Sequence, residues 1–86
     1  MNVSELKIDL LARGIRPSAV RFDDSESIAV EYYCISQQQT LWEVYYFERG
    51  VKNNLQLFSD EAQACAYLKS LLDSDRTVWS TEQKQS

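Results

Sequence analysis

Apolar and polar positions alternate with two different rhythms along the chain, and the rhythm changes mark its elements. In residues 2–14, Val3, Leu6 and Leu10 recur at helical spacing, with Ile8, Leu11 and Ile15 beside them as a broad stripe. Asn2 is a suitable N-cap, and Glu5 three residues on suits a capping box. Gly14 fits the left-handed residue that closes a helix, with Ile15 as its apolar follower and Pro17 beyond. The rhythm then drops to two. Segment 18–22 (S-A-V-R-F) reads as a short strand, 23–27 (D-D-S-E-S) as a polar turn, and 28–35 (I-A-V-E-Y-Y-C-I) as a second strand rich in branched and aromatic residues. After a loop at 36–40 comes Leu41–Gly50 (L-W-E-V-Y-Y-F-E-R-G), the central strand. Its Trp42, Val44 and Tyr46 point one way, and Glu43, Tyr45, Phe47 and Arg49 point the other. A turn at 50–53 leads to a shorter strand at 54–58. Ser59 then caps a second helix whose apolar face is Ala62, Cys65, Leu68 and Leu72 and which runs to Leu72 or Asp73.

Hairpin loops of these lengths set registers. Ile35 pairs with Leu41, Tyr33 lies opposite Glu43, Glu31 opposite Tyr45, and Tyr46 opposite Leu57. One set then shares a face: Val20, Phe22, Ile28, Val30, Tyr32, Cys34, Trp42, Val44, Tyr46, Leu55 and Leu57. The expected fold is α+β, a four-stranded antiparallel meander with an N-terminal and a C-terminal helix packed on it. It occupies residues 1–75 as one domain, followed by a polar tail at 76–86 in which Val78 and Trp79 are the candidates for docking on the body.

At 86 residues the chain suits one domain, and 44% hydrophobic residues suffice for a single core. The formal net charge of −4 lacks the basic footprint of a nonspecific nucleic-acid binder and suits a basic protein partner. There is no His, which removes the commonest general base and metal ligand. Cys34 and Cys65 form no metal or redox motif and read as small buried hydrophobes. No cofactor and no metal is expected. Glu5, Lys7 and Asp9 interrupt any leader-like apolar run, and no stretch approaches a membrane span, so the expected setting is cytoplasmic, without membrane association.

The second sheet face carries the candidate chemistry. It holds Arg21, Glu31, Tyr33, Ile35, Glu43, Tyr45, Phe47 and Arg49, carboxylates alternating with rings. With both helices on the first face this lattice is an exposed interaction surface, its Tyr and Arg the anchors. With one helix on this face, the rings are a second core. Glu31 and Glu43 also stand close enough in this register for a hydrolase acid/base pair, but a flat sheet offers no deep cleft to retune them. Asp23 and Asp24, with Glu26, match no calcium loop and read as a solvated turn, which as one rim of an interface would add attraction for a basic partner.

Two segments, W-E-V-Y-Y-F-E-R-G (42–50) and F-S-D-E-A-Q-A-C-A-Y (58–67), resemble a group of small bacterial immunity proteins that accompany polymorphic or contact-dependent toxins. That pattern is close to W-E-V-Y-Y-x-E-R-G followed by F-x-x-E-x-x-A-C-x-Y. Phe47 stands where Ser is more usual. The resemblance implies a non-enzymatic inhibitor that binds a cognate toxin domain and blocks its active site. The partner-binding candidates are Glu31, Tyr33, Glu43, Tyr45, Phe47, Arg49, Asp23 and Asp24. The alternative is a generic interaction or regulatory domain, homodimeric through the same face.

Overall fold

The structure, a computed structural model, describes residues 1–22 and 31–79. The expectations for Asp23, Asp24, Ile28 and Val30 lie outside the described residues. Helix α1 (Val3–Ala12) begins as its sequence dictates. The Glu5 backbone N–H donates to Asn2 Oδ1 at 2.8 Å, and the Asn2 N–H donates to Glu5 Oε1 at 3.0 Å, so two end donors are satisfied reciprocally. At the other end Gly14 takes φ 93°. Its N–H donates to the Leu11 carbonyl and that of Ile15 to the Leu10 carbonyl, both at 3.1 Å, with Leu10 and Ile15 meeting in the core. Leu6 and Leu10 are fully buried, whereas Ile8 and Leu11 are 70% and 49% exposed, so the apolar stripe is narrower than its spacing suggests.

A 3-10 turn at Pro17–Ala19 leads into β1 (Val20–Arg21). The remaining strands are β2 (Glu31–Gln38), β3 (Leu41–Glu48) and β4 (Val51–Phe58), and the sheet order is β1-β2-β3-β4. Strand β1 runs parallel to β2, pairing Val20 with Tyr33, so the sheet is mixed and the expected all-antiparallel meander is corrected at this edge. The α+β class and the four strands stand.

The β2–β3 register differs from expectation by three residues. Ile35 pairs with Val44, Tyr33 with Tyr46, and Gln38 with Leu41, so only Gln39 and Thr40 form the turn, with Gln39 at φ 59°. Ser36, Gln37 and Gln38, expected as loop, continue the ladder. An odd shift turns every β2 side chain over. Tyr33 and Ile35 therefore face the helices, while Tyr32 and Cys34 face away. The sequence pattern could not decide this, because β2 is apolar on both sides.

The β3–β4 turn is also tighter than expected. Arg49 and Gly50 form a two-residue connection with φ 55° and 79°, the left-handed pair that matches strand twist. Its pairing places Asn53 opposite Tyr46. Continued unbroken, it would set Leu55 against Val44 and Leu57 against Trp42, on the helix side. A bulge intervenes, with Asn54 at φ 56°, and beyond it Gln56 pairs with Val44 and Phe58 with Trp42. Leu55 and Leu57, expected in the core, therefore point to the far face and are exposed.

Helix α2 (Glu61–Asp73) is capped by Asp60 rather than Ser59: the Ala62 N–H donates to the Asp60 carboxylate at 3.0 Å. The two helices run parallel on the same face. Near their starts, the Val3 N–H donates to Glu61 Oε2 at 2.8 Å, so a carboxylate of one helix satisfies an end donor of the other. At their ends Arg13 reaches Asp73 at 2.7 Å. Leu6, Leu10, Ile35, Val44, Cys65, Leu68 and Leu72 close the core, and each such buried side chain contributes roughly 1.5–3 kcal/mol.

Residues beyond α2 fold back onto this core. The Trp79 indole N–H donates to the Leu72 carbonyl at 3.0 Å, taking up a C-terminal acceptor of α2, and the Arg13 guanidinium lies 4.7 Å from the Trp79 ring centroid. The Arg16 N–H donates to the Val78 carbonyl at 2.7 Å, and Val78 is buried. The docking expected of Val78 and Trp79 is thus present.

Candidate protein interface

The far face of the sheet carries no described helix, yet its centre is not an open lattice. Tyr32 and Phe47 stack with centroids 5.0 Å apart, and with Cys34 and Tyr45 they form a small second cluster. Tyr45 is 4% exposed. Burial, and then the neighbouring Cys34, push its hydroxyl above the usual tyrosine range. Lys52 on β4 closes one side: its ammonium sits 4.7 Å from the Tyr45 centroid and 3.1 Å from a Glu43 oxygen. Glu43 is buried by this arrangement. What remains accessible lies along β4. Leu55 and Leu57 are 44% and 57% exposed and flank the cluster on the edge strand, whose outer backbone groups face no described strand.

A cleft of about 250 Å³ opens on the helix side of the sheet, where β2 and β3 run past the helices toward the 3-10 turns. Tyr33 and Tyr46 pack ring on ring with centroids 4.7 Å apart, and each hydroxyl serves a different carboxylate. Tyr33 donates to Asp75 at 2.8 Å and Tyr46 to Glu31 at 3.2 Å. Burial, then the Asp75 bond and charge, raise the Tyr33 hydroxyl well above its ordinary range. Burial, then the Glu31 hydrogen bond and the charges of Glu31, Glu48 and Asp75, also raise the Tyr46 hydroxyl. Burial works to raise the Asp75 carboxyl. The Thr77 hydroxyl and N–H and the Tyr33 hydroxyl, all donating to it, nevertheless hold it below the usual range. Asp75 is therefore an anion at neutral pH.

These two surfaces divide the candidate residues. Glu43, Tyr45 and Phe47 share the far face; Glu31 and Tyr33 belong to the cleft on the opposite side; Arg49 is an exposed turn residue. Glu31 and Glu43 lie on opposite faces, so the proximity that the expected register would have given them is absent. Glu43 and Tyr45 are corrected from exposed to buried, and Tyr33 from the far face to the helix side. Sequence reasoning missed Tyr46, Asp75, Leu55 and Leu57. No local signal joins Asp75 to Glu31, which are brought together only by the fold. The bulge at Asn54 had a faint sign in the Asn-Asn pair, since Asn tolerates a positive φ.

Much of the segment that carries the resemblance serves the fold. Trp42 and Val44 pack on the core, Gly50 supplies the turn, Phe58 meets Tyr67 at 5.4 Å, Glu61 ties the helices, and Cys65 is buried. Among the described residues there is no group of His, Cys, Asp and Glu fit to hold a metal ion, and no helix is long and apolar enough to cross a membrane. Neither a family model, a curated protein nor a solved structure matches the chain.

Proposed function

We propose that this protein is a cytoplasmic immunity protein, a non-enzymatic inhibitor that neutralises a cognate bacterial toxin domain by direct contact. The observation that carries the reading is the pair Leu55 and Leu57, held outward on an edge strand beside a buried aromatic cluster. A bulge turns them away from the core that their spacing would otherwise let them join. Large aliphatics kept outward at such a site favour a protein partner over solvent. The acid excess adds attraction for a basic toxin surface, such as one that attacks nucleic acid. The resemblance of residues 42–50 and 58–67 to small immunity proteins points the same way.

The test is to identify what the adjacent gene encodes and, where that is a toxin domain, to co-express the two, scored by growth rescue and by a one-to-one complex on size exclusion. Leu57→Asp should leave stability within about 0.5 kcal/mol of the parent, because the side chain is exposed. It should weaken the complex by about tenfold or more, the scale of an interface anchor. A complex indifferent to this substitution removes β4 as the contact.

The edge of β4, which faces no described strand, also favours a second reading, a generic interaction domain in which two copies join β4 to β4 as one continuous sheet. Light scattering over a range of concentrations separates the two: a stable dimer abolished by Leu57→Asp supports the second.

A further inference from the structure

We propose that the cleft between Tyr33 and Tyr46 receives an arginine side chain of the protein partner; this rests on the reading of the chain as a protein-binding module. Four observations converge on it. The walls are two tyrosine rings in contact, a surface on which a planar cation stacks. Two carboxylates border the space, Asp75 held by Tyr33 and Glu31 by Tyr46, and neither makes an ion pair among the described residues. Glu31 also sits directly opposite Glu48 across the β2–β3 ladder, a like-charge pair that costs stability until a cation bridges it. Among the described residues lining the cleft the cation is Arg16, whose guanidinium donates to the Thr77 carbonyl at 2.7 Å rather than to either acid.

Among the described residues, Asp75, Glu31 and the adjacent Glu48 outnumber Arg16 here, and the concavity of about 250 Å³ is large enough for a side-chain head group. Guanidinium suits it better than ammonium. Its five donors diverge in a plane and reach acids approached from different sides, while its face lies on a ring; an ammonium concentrates its charge at one point. The far-face leucines and this cleft occupy opposite sides of the sheet. A partner using both therefore wraps an edge of the molecule.

The experiment uses the intact chain and Nα-acetyl-argininamide as probe, followed by the ring resonances of Tyr33 and Tyr46. The lysine analogue and sodium chloride at matched ionic strength serve as controls. The expected result is a saturable shift of both rings with millimolar affinity, at least about threefold tighter for the arginine probe than for the lysine one, a difference of under 1 kcal/mol. The Glu31→Gln, Glu48→Gln double variant should weaken it by about tenfold, as expected for loss of charge-assisted hydrogen bonds. Glu31 is exposed and half of an adverse pair, so the variant should fold at least as stably as the parent. Shifts that do not saturate, that salt alone reproduces, or that persist undiminished in the double variant overturn the proposal. These outcomes are read without any toxin. A toxin complex that tolerates the double variant overturns the cleft and leaves the immunity reading intact, while probe binding without any toxin partner does the reverse.

Discussion

The two faces of the sheet carry similar numbers of aromatic residues and differ in what the rings do. On the helix side, Trp42 and Tyr33 are parts of a continuous core completed by Leu6, Leu10, Leu68 and Leu72. On the far side, Tyr32, Tyr45, Phe47 and Cys34 bury one another and borrow Lys52 and Glu43 as a polar border. The contrast separates burial from availability. A ring on a helix-free face is not thereby a binding ring, since neighbours on the strands remove it from water. The groups that remain accessible lie at margins: the leucines of β4 beyond the cluster, and the carboxylates of the cleft beyond the helices.

The sharpest way to break this comparison is to truncate one large apolar side chain on each side of the sheet. Leu68→Ala opens a cavity in a fully enclosed site and should cost about 2–5 kcal/mol in urea denaturation. Phe47→Ala removes a half-buried ring and its stacking on Tyr32, and should cost about 1–2 kcal/mol. Equal losses would mean that the far face is a second full core, and its claim as an interaction surface would fall to the β4 margin alone.

Next in size is the bulge that directs Leu55 and Leu57. Asn54→Val places a branched side chain at φ 56° and should cost about 1–2 kcal/mol, while Asn54→Gly should be close to neutral. Should the Val variant hold its stability, the ladder has slipped to the unbulged register. The β4 amides beyond residue 54 would then change their partners on β3, a change that hydrogen exchange along β4 reads.

The smallest effects lie in the pH dependence, where Tyr33 and Tyr45, one on each face, share one sign and Asp75 has the other. Tyr33 and Tyr45 both have raised values in the fold, so each contributes stability that is complete below the ordinary tyrosine value of 10.0. That contribution is lost as pH rises further toward the folded value. Tyr33→Phe and Tyr45→Phe should each flatten the alkaline limb of a stability profile. Asp75 is lowered in the fold, so its contribution is present above the ordinary value of 3.8 and is lost as pH falls through the folded one. Asp75→Asn should flatten the acid limb. An acid limb unchanged in that variant would mean that the hydrogen bonds around Asp75 do not hold it ionised.

What the sequence determined by itself is everything that closes within a few residues. The capping box at Asn2 and Glu5, the helix stop at Gly14 and Ile15, the left-handed turn residue Gly50 and the alternation of Trp42, Val44 and Tyr46 each depend on bonds or sterics no more than one turn away. Tertiary structure decided what depends on phase between distant segments. Strand β2 is apolar on both sides, so only pairing with β3 chose which face met the helices. One extra residue at Asn54 moved two leucines from core to surface, and strand β1 aligned in parallel. Asp75 and Glu31 share a cleft because helix α2 delivers one of them to the sheet end that bears the other. Local rules bound each segment tightly, but a single-residue change of register reverses a whole face, and only the packed core selects among registers that local preference leaves nearly equal.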